Sequence, residues 1–229
     1  EGAAGGGEDE AAHLAGTADD GAGQTLLVAA RRERLGDRGV LGVHGDHLAG
    51  AAQRLLDQRS ADDELNPLME VITRLTDDLA AAPGHRVMIV GDLDLLPATI
   101  AERLRSAERS SAGHSGTQVN MAVAYGGRHE LRDAVRSLLA AEAQRGTTLE
   151  ELARTLEVDQ ISEHLYTRGQ PDPDLLIRTS GEQRLSGFLP WQSAHSELYF
   201  CEALWPDFRK IDFLRALRSY QQRERRFGK

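Results

Sequence analysis

The sequence predicts an α/β protein in which a central, mainly parallel sheet is ringed by helices and preceded by an irregular or disordered amino-terminal region. Three observations carry this expectation. From Arg86 onward, short β-rich runs alternate with helical patterns, the order that a parallel sheet with crossover helices requires. At 229 residues, with 40% hydrophobic and 28% charged content, the chain is long enough to bury a large core. Its composition also shifts along the chain: all eleven aromatic residues lie between Tyr125 and Phe227, whereas Gly and Ala fill 16 of the first 30 positions. We therefore divide it into a divergent segment, 1–59, and a domain, 60–229.

Residues 1–59 are glycine-rich and charge-mixed, with too little apolar surface to offset chain entropy, so they read as disorder or weak helix without a strand before Arg86. Asp62 or Asp63 caps a helix whose Leu65, Leu68, Ile72, Leu75 and Leu79 recur at helical spacing. Pro83-Gly84 ends it. Arg86 to Val90 reads as a buried strand stopped by Gly91, and a helix follows from Ala98 to Arg109. Gln118 to Ala124 is a second strand, turned by Tyr125-Gly-Gly-Arg128 into a long helix that ends near Arg145. Thr148 and Glu151 form a capping box for a short helix, and another is expected from Gln160 to Tyr166. The prolines of Gly169-Gln-Pro-Asp-Pro173 make a loop before a third strand, Asp174 to Arg178. Lys210 to Arg226 closes the chain as a helix.

Several classes of function are excluded. No apolar run approaches the roughly 18 residues of a membrane span. The single cysteine, Cys201, cannot form an internal disulfide; with no secretory leader pattern, it implies a reducing, cytoplasmic setting and reads as a buried apolar residue. A net charge of −9 argues against nucleic acid as a partner, while leaving room for a local arginine cluster around one anionic ligand. No cysteine-built or HExxH-type metal site is present.

The chemistry is concentrated between Asp172 and Phe200. A strand ending at Arg178 delivers polar groups to its carboxyl end, where open α/β sheets bind ligands. Arg178 and Arg184 provide planar cationic forks, Ser186 a hydroxyl, and Gly181 access to backbone N–H groups, a set suited to a diphosphate. The bland alternative is a solvated turn. Downstream, Glu197 stands in an aromatic and apolar stretch, Gly187 to Phe200, where a carboxylate is costly unless paired or metal-bound; it is a candidate Mg²⁺ ligand. Trp191, Phe200 and Trp205 read as core or dimer contacts, and His195 as packing or hydrogen bonding.

This stretch, with Leu204-Trp-Pro-Asp-Phe208, Asn120 to Arg128 and Gln170-Pro-Asp-Pro-Asp-Leu175, resembles the cis-prenyltransferases, the undecaprenyl diphosphate synthase family, over about Asp63 to Lys229. The run Ser180-Gly-Glu-Gln-Arg-Leu-Ser-Gly-Phe-Leu189 is similar to that of the short-chain actinobacterial members making Z-farnesyl diphosphate. The resemblance implies the cis-prenyltransferase fold, a homodimer, and condensation of isopentenyl diphosphate with an allylic diphosphate to give a Z-configured polyprenyl diphosphate. It gives Arg178, Arg184 and Ser186 the diphosphate of isopentenyl diphosphate, and Glu197 a share of Mg²⁺. Arg226-Phe-Gly228 becomes the Arg-x-Gly element that reaches the partner's site, against the simpler reading of a frayed basic tail. Glu182 takes an orienting role, and the apolar product implies a peripheral membrane contact.

The amino-terminal third departs from the family's Asp-Gly-Asn-(Gly/Arg)-Arg-Trp and Ser-Thr-Glu-Asn motifs. Only Asp20-Gly21 matches the first two positions, making Asp20 the candidate catalytic and metal aspartate, with a plain surface turn as the alternative. The 25 arginines against two lysines indicate a GC-rich gene. Back-translated and read one base later, Gly42 to Gln53 can give an apolar run ending in serine that resembles the missing strand, so a frameshifted start is the leading account and divergence the rival. The competing function is a non-catalytic dimer subunit that lends Arg226-Phe-Gly228 to a catalytic partner.

Overall fold

The computed structural model describes residues 69–204 and 207–223 together with the backbone of 26–30, 40–45 and 62–68. Asp20, Trp205, Arg226 and Gly228 lie outside the described residues. In chain order the elements are β1 (Leu26–Ala30), β2 (Val40–Gly45), α1 (Asp62–Ala81), β3 (His85–Val90), α2 (Ala98–Ser111), β4 (Thr117–Ala122), α3 (Gly127–Arg145), α4 (Leu149–Thr155), α5 (Val158–Ser162), β5 (Leu175–Arg178), β6 (Glu197–Phe200) and α6 (Lys210–Gln222).

One six-stranded sheet has the order β3-β4-β2-β1-β5-β6. Strands β2, β4 and β3 pair in parallel, as do β5 and β6, whereas β1 is antiparallel to both β2 and β5. Five strands therefore share one direction and β1 alone is reversed. The expectation of no strand before Arg86 is corrected here: Leu26–Ala30 and Val40–Gly45 fill the middle of the sheet. Each is only five or six residues long, too short to stand out from a Gly- and Ala-rich background, and each is specified by backbone pairing with strands far along the chain. The strand Glu197–Phe200 was likewise not expected; β5 imposes it by parallel pairing at the edge of the sheet.

Side-chain alternation divides the core. Val87, Val119, Met121 and Val123 face Ile72 and Leu79 of α1 and Leu104 of α2. Across the sheet, Val90, Ala122, Leu176, Tyr125, Phe188 and Leu189 form a second cluster, while Leu175 and Ile177 meet Ala216 and Tyr220 of α6 in a third. The third helix stops at Gly146, whose φ of +80° ends it in the left-handed conformation, and the Thr148–Glu151 capping box starts the fourth as expected. The helix expected over Gln160–Tyr166 ends instead at Ser162, and the Tyr166 N–H donates to the Glu130 carboxylate rather than to a helical carbonyl. Cys201 is half-buried rather than buried, and its burial still pushes the thiol above the usual range.

Gly91, at the carboxyl end of β3, has φ +140°, and a Cβ there would lie 1.9 Å from the Val123 carbonyl oxygen. Gly91→Ala is expected to cost about 3 kcal/mol of stability, measured as a lowered urea midpoint with unchanged m-value. A midpoint equal to the parent's would contradict the close approach.

Candidate diphosphate site

The carboxyl ends of β3, β4 and β5 open onto one edge of the sheet. Four non-glycine residues with positive φ occur among the described residues, and all leave that edge: Ala124 after β4, then Ser180, Ser186 and Leu189 between β5 and β6. Such conformations cost of order 1–3 kcal/mol each and gather at ligand sites.

Arg178 ends β5 on the same face as Leu176, and it is 1% exposed. Its Nη2 donates to Glu182 Oε2, while Arg184 Nη2 donates to Glu182 Oε1 at 2.8 Å. The carboxylate thus bridges and aligns both arginines, which accords with an orienting role. Arg184 is 69% exposed and Ser186 is exposed beside it. One expectation is corrected: the Ser180 and Gly181 N–H groups donate to the Ala203 and Cys201 carbonyls at 2.8 and 2.9 Å, extending the β5–β6 pairing, so they are not offered to a ligand.

Glu197 lies elsewhere. In the β5–β6 register, Phe200 is opposite Arg178, and Glu197 is opposite Leu175. Three strand residues, roughly 10 Å, therefore separate Glu197 from the level of Arg178. Its Oε2 accepts from Arg223 Nη1 at 2.5 Å, just beyond the end of α6, so the charge is paired. Mg²⁺ is commonly held by one or two carboxylates and completed by water and substrate phosphates. Among the described residues no three ligating side chains cluster. Glu197 is a single carboxylate paired with Arg223, and by itself it makes no self-contained cage for a cation.

Sequence reasoning missed the most heavily bonded carboxylate here, Glu130, fully buried in the first turn of α3 and bonded to Tyr125, Gln192 and the Tyr166 N–H. Burial first, and then the neighbouring Glu130, pushes the Tyr125 hydroxyl well above its usual range. Its place in an otherwise polar helical stretch offered no signal. Asn120 donates to Gln170 Oε1, joining two of the segments that carried the resemblance. Beside the carboxyl end of β3 lies an open cleft of about 490 Å³, lined by Asp92, Asp94, Arg105, Arg132, Asp133 and Arg136, and Arg178, Arg184 and Ser186 are not among its lining residues. His195 is exposed and Trp191 is half-buried with its indole N–H on Ser162 Oγ at 3.1 Å. No helix among the described residues is long and apolar enough to cross a membrane.

The chain is 64% identical over 166 residues to a (2Z,6E)-farnesyl diphosphate synthase of Thermobifida fusca, covering 72% of this chain and 65% of the relative. It is 56% identical over 170 residues to isoprenyl transferase 1 of Corynebacterium diphtheriae, covering 74% and 64%. The chain thus spans a little under two thirds of the length of these relatives. The crystal structure of lavandulyl diphosphate synthase from Lavandula x intermedia, in complex with dimethylallyl diphosphate, superposes with a TM-score of 0.68 at 34% identity, over 78% of this chain and 75% of that one. A profile of the undecaprenyl diphosphate synthase family of prenyltransferases matches residues 57–228, and the chain belongs to that family.

Proposed function

We propose that the chain condenses isopentenyl diphosphate with an allylic diphosphate to form a Z-configured prenyl diphosphate. The observation that carries this reading is the Arg178–Glu182–Arg184 fork at the carboxyl end of β5, with the exposed Ser186 beside it. It is supported by relatives named as isoprenyl transferases and (2Z,6E)-farnesyl diphosphate synthases. Arg178 and Arg184 bind and orient the isopentenyl diphosphate head while Ser186 donates to a phosphate oxygen. The isopentenyl double bond then forms a carbon–carbon bond to the allylic carbon as the allylic C–O bond breaks and inorganic diphosphate departs, and a proton is lost from the joined isopentenyl unit to set the new double bond. Glu197, with Asp20, would hold Mg²⁺, which when bound supplies charge to neutralise the departing diphosphate.

The far-end placement of Glu197 favours a second copy of the chain. Beyond the end of α6, Arg223 meets Glu197 at the level of Leu175 rather than at that of Arg178. Glu197 is therefore better placed to serve a partner's diphosphate than that of its own chain, which supports the homodimer reading.

Arg184→Ala is expected to weaken isopentenyl diphosphate binding by about 10- to 100-fold, because it removes a charge-assisted contact from an exposed side chain with no core role. Calorimetric titration of parent and variant checks this, and equal affinities would remove the loop from the site.

Glu197→Gln should raise the Mg²⁺ concentration needed for half-maximal turnover severalfold while leaving the thermal midpoint unchanged. An identical Mg²⁺ requirement would leave Glu197 with the Arg223 ion pair as its whole role.

Binding two diphosphates requires a cradle for each, and orientation is worth roughly 7–11 kcal/mol of a bimolecular barrier. With residues 1–59 departing from the family pattern, the chain alone should incorporate little labelled isopentenyl diphosphate, and a start carrying Asp-Gly-Asn-Arg-Arg-Trp should restore turnover. Robust turnover by the unmodified chain overturns the frameshift and supports Asp20 as a working ligand. Stimulation seen only beside a family homologue would instead favour the helper-subunit function.

A further inference from the structure

We propose that Glu130 is a positioning residue for the diphosphate site: it holds the Ser186–Gln192 loop in the conformation that presents Ser186. The inference rests on the reading of Ser186 and Arg184 as diphosphate ligands.

Glu130 is 0% exposed, and the donors that meet it are neutral. Its Oε2 accepts from Tyr125 Oη at 2.5 Å and from Gln192 Nε2 at 3.2 Å, and its Oε1 from the Tyr166 N–H at 3.0 Å and Gln192 Nε2 at 3.1 Å. A buried carboxylate is costly for stability alone, and an apolar side chain would serve packing better. What the carboxylate does is join three segments distant in sequence: the turn after β4, the turn after α5, and the loop after Ser186.

The loop is gripped at every point beyond Ser186. The Gly187 carbonyl accepts from the Gly127 N–H at 3.0 Å, and a Cβ on Gly127 would lie 2.3 Å from Pro190 Cδ, so no larger residue fits between them. Phe188 meets Tyr125 edge-on at 5.8 Å. The Leu189 backbone, held at φ +45°, hydrogen-bonds the Tyr125 hydroxyl, which Glu130 orients in turn. The Gln192 amide also donates to Thr167 Oγ1 at 2.8 Å. Its Nε2 faces three acceptor oxygens, so the amide cannot turn over, and its buried Oε1 is left without a partner among the described residues. Glu130 thus sets the orientation of Gln192 at the expense of an unsatisfied acceptor, a cost that stability by itself does not explain. Ser186, with φ +47°, is the exposed residue from which this clamped loop starts.

Glu130→Gln keeps the shape but replaces one acceptor by an N–H₂ that opposes Gln192 Nε2 or the Tyr166 N–H, releasing the loop. The test is calorimetric titration of the whole chain with isopentenyl diphosphate, well below the thermal midpoint. The set comprises the parent, Glu130→Gln, Gln192→Met, Arg184→Ala and Leu104→Ala. Leu104, 1% exposed in the cluster under α2, controls for general destabilisation. Glu130→Gln and Gln192→Met are expected to raise Kd about tenfold or more, as loss of buried hydrogen bonds to a charged group predicts, while Leu104→Ala lowers the thermal midpoint and leaves Kd within twofold. If Glu130→Gln does not fold, Gln192→Met decides, since it spares the bonds from Tyr125 and Tyr166. A parent that binds, with affinity lost in Arg184→Ala but kept within twofold in the Glu130 and Gln192 variants, overturns the positioning role alone. Equal loss of affinity in Leu104→Ala also overturns it, because the effect would then be global. A parent that does not bind isopentenyl diphosphate overturns the ligand reading and this inference together.

Discussion

The burial of β5 on both faces is the constraint on which the rest depends. All four residues, Leu175 to Arg178, are at most 2% exposed: Leu175 and Ile177 are packed by α6, and Leu176 by the cluster around Tyr125 and Phe188. A slip of β5 by one residue would carry the Arg178 guanidinium from the Leu176 side, where Glu182 pairs it, into the apolar cluster against α6. Its register consequently fixes Arg178 at the carboxyl end, places Phe200 beside it, and sends Glu197 to the other end of the pair.

Around this strand, charge is arranged by pairing. Arg178 is buried but bonded to Glu182, which also binds the exposed Arg184, so a cation that would be costly in the interior becomes one arm of an oriented fork. Glu197 is paired by Arg223 from the end of α6. The two ion-paired groups thus sit one at each end of the β5–β6 pair.

Much of this was legible in advance where the signal is local. The Thr148–Glu151 capping box, the end of the long helix near Arg145, the strand ending at Gly91 and the alternation of strands with helices follow from neighbouring residues and appear as expected. The alignment of Arg178, Glu182 and Arg184 was also within reach, because all lie within seven residues of one turn. The strands β1, β2 and β6 were not, since each is four to six residues long and is specified by backbone partners elsewhere in the chain. Glu130 was invisible for a different reason: a glutamate in a helix usually faces water, and only the arrival of Tyr125, Tyr166 and Gln192 from separate segments makes burial tolerable.

The sequence by itself determined the fold class, the family and the arginine-rich loop, because periodicity, capping and a contiguous motif are properties of neighbours along the chain. Only the tertiary structure decided that β1 runs against its neighbours, that Glu197 meets Arg223 rather than the arginine fork, and that Glu130 clamps the loop after Ser186. Those outcomes depend on strand register and on hydrogen bonds between residues 26 to 62 positions apart, and such distances acquire meaning only when the chain has folded.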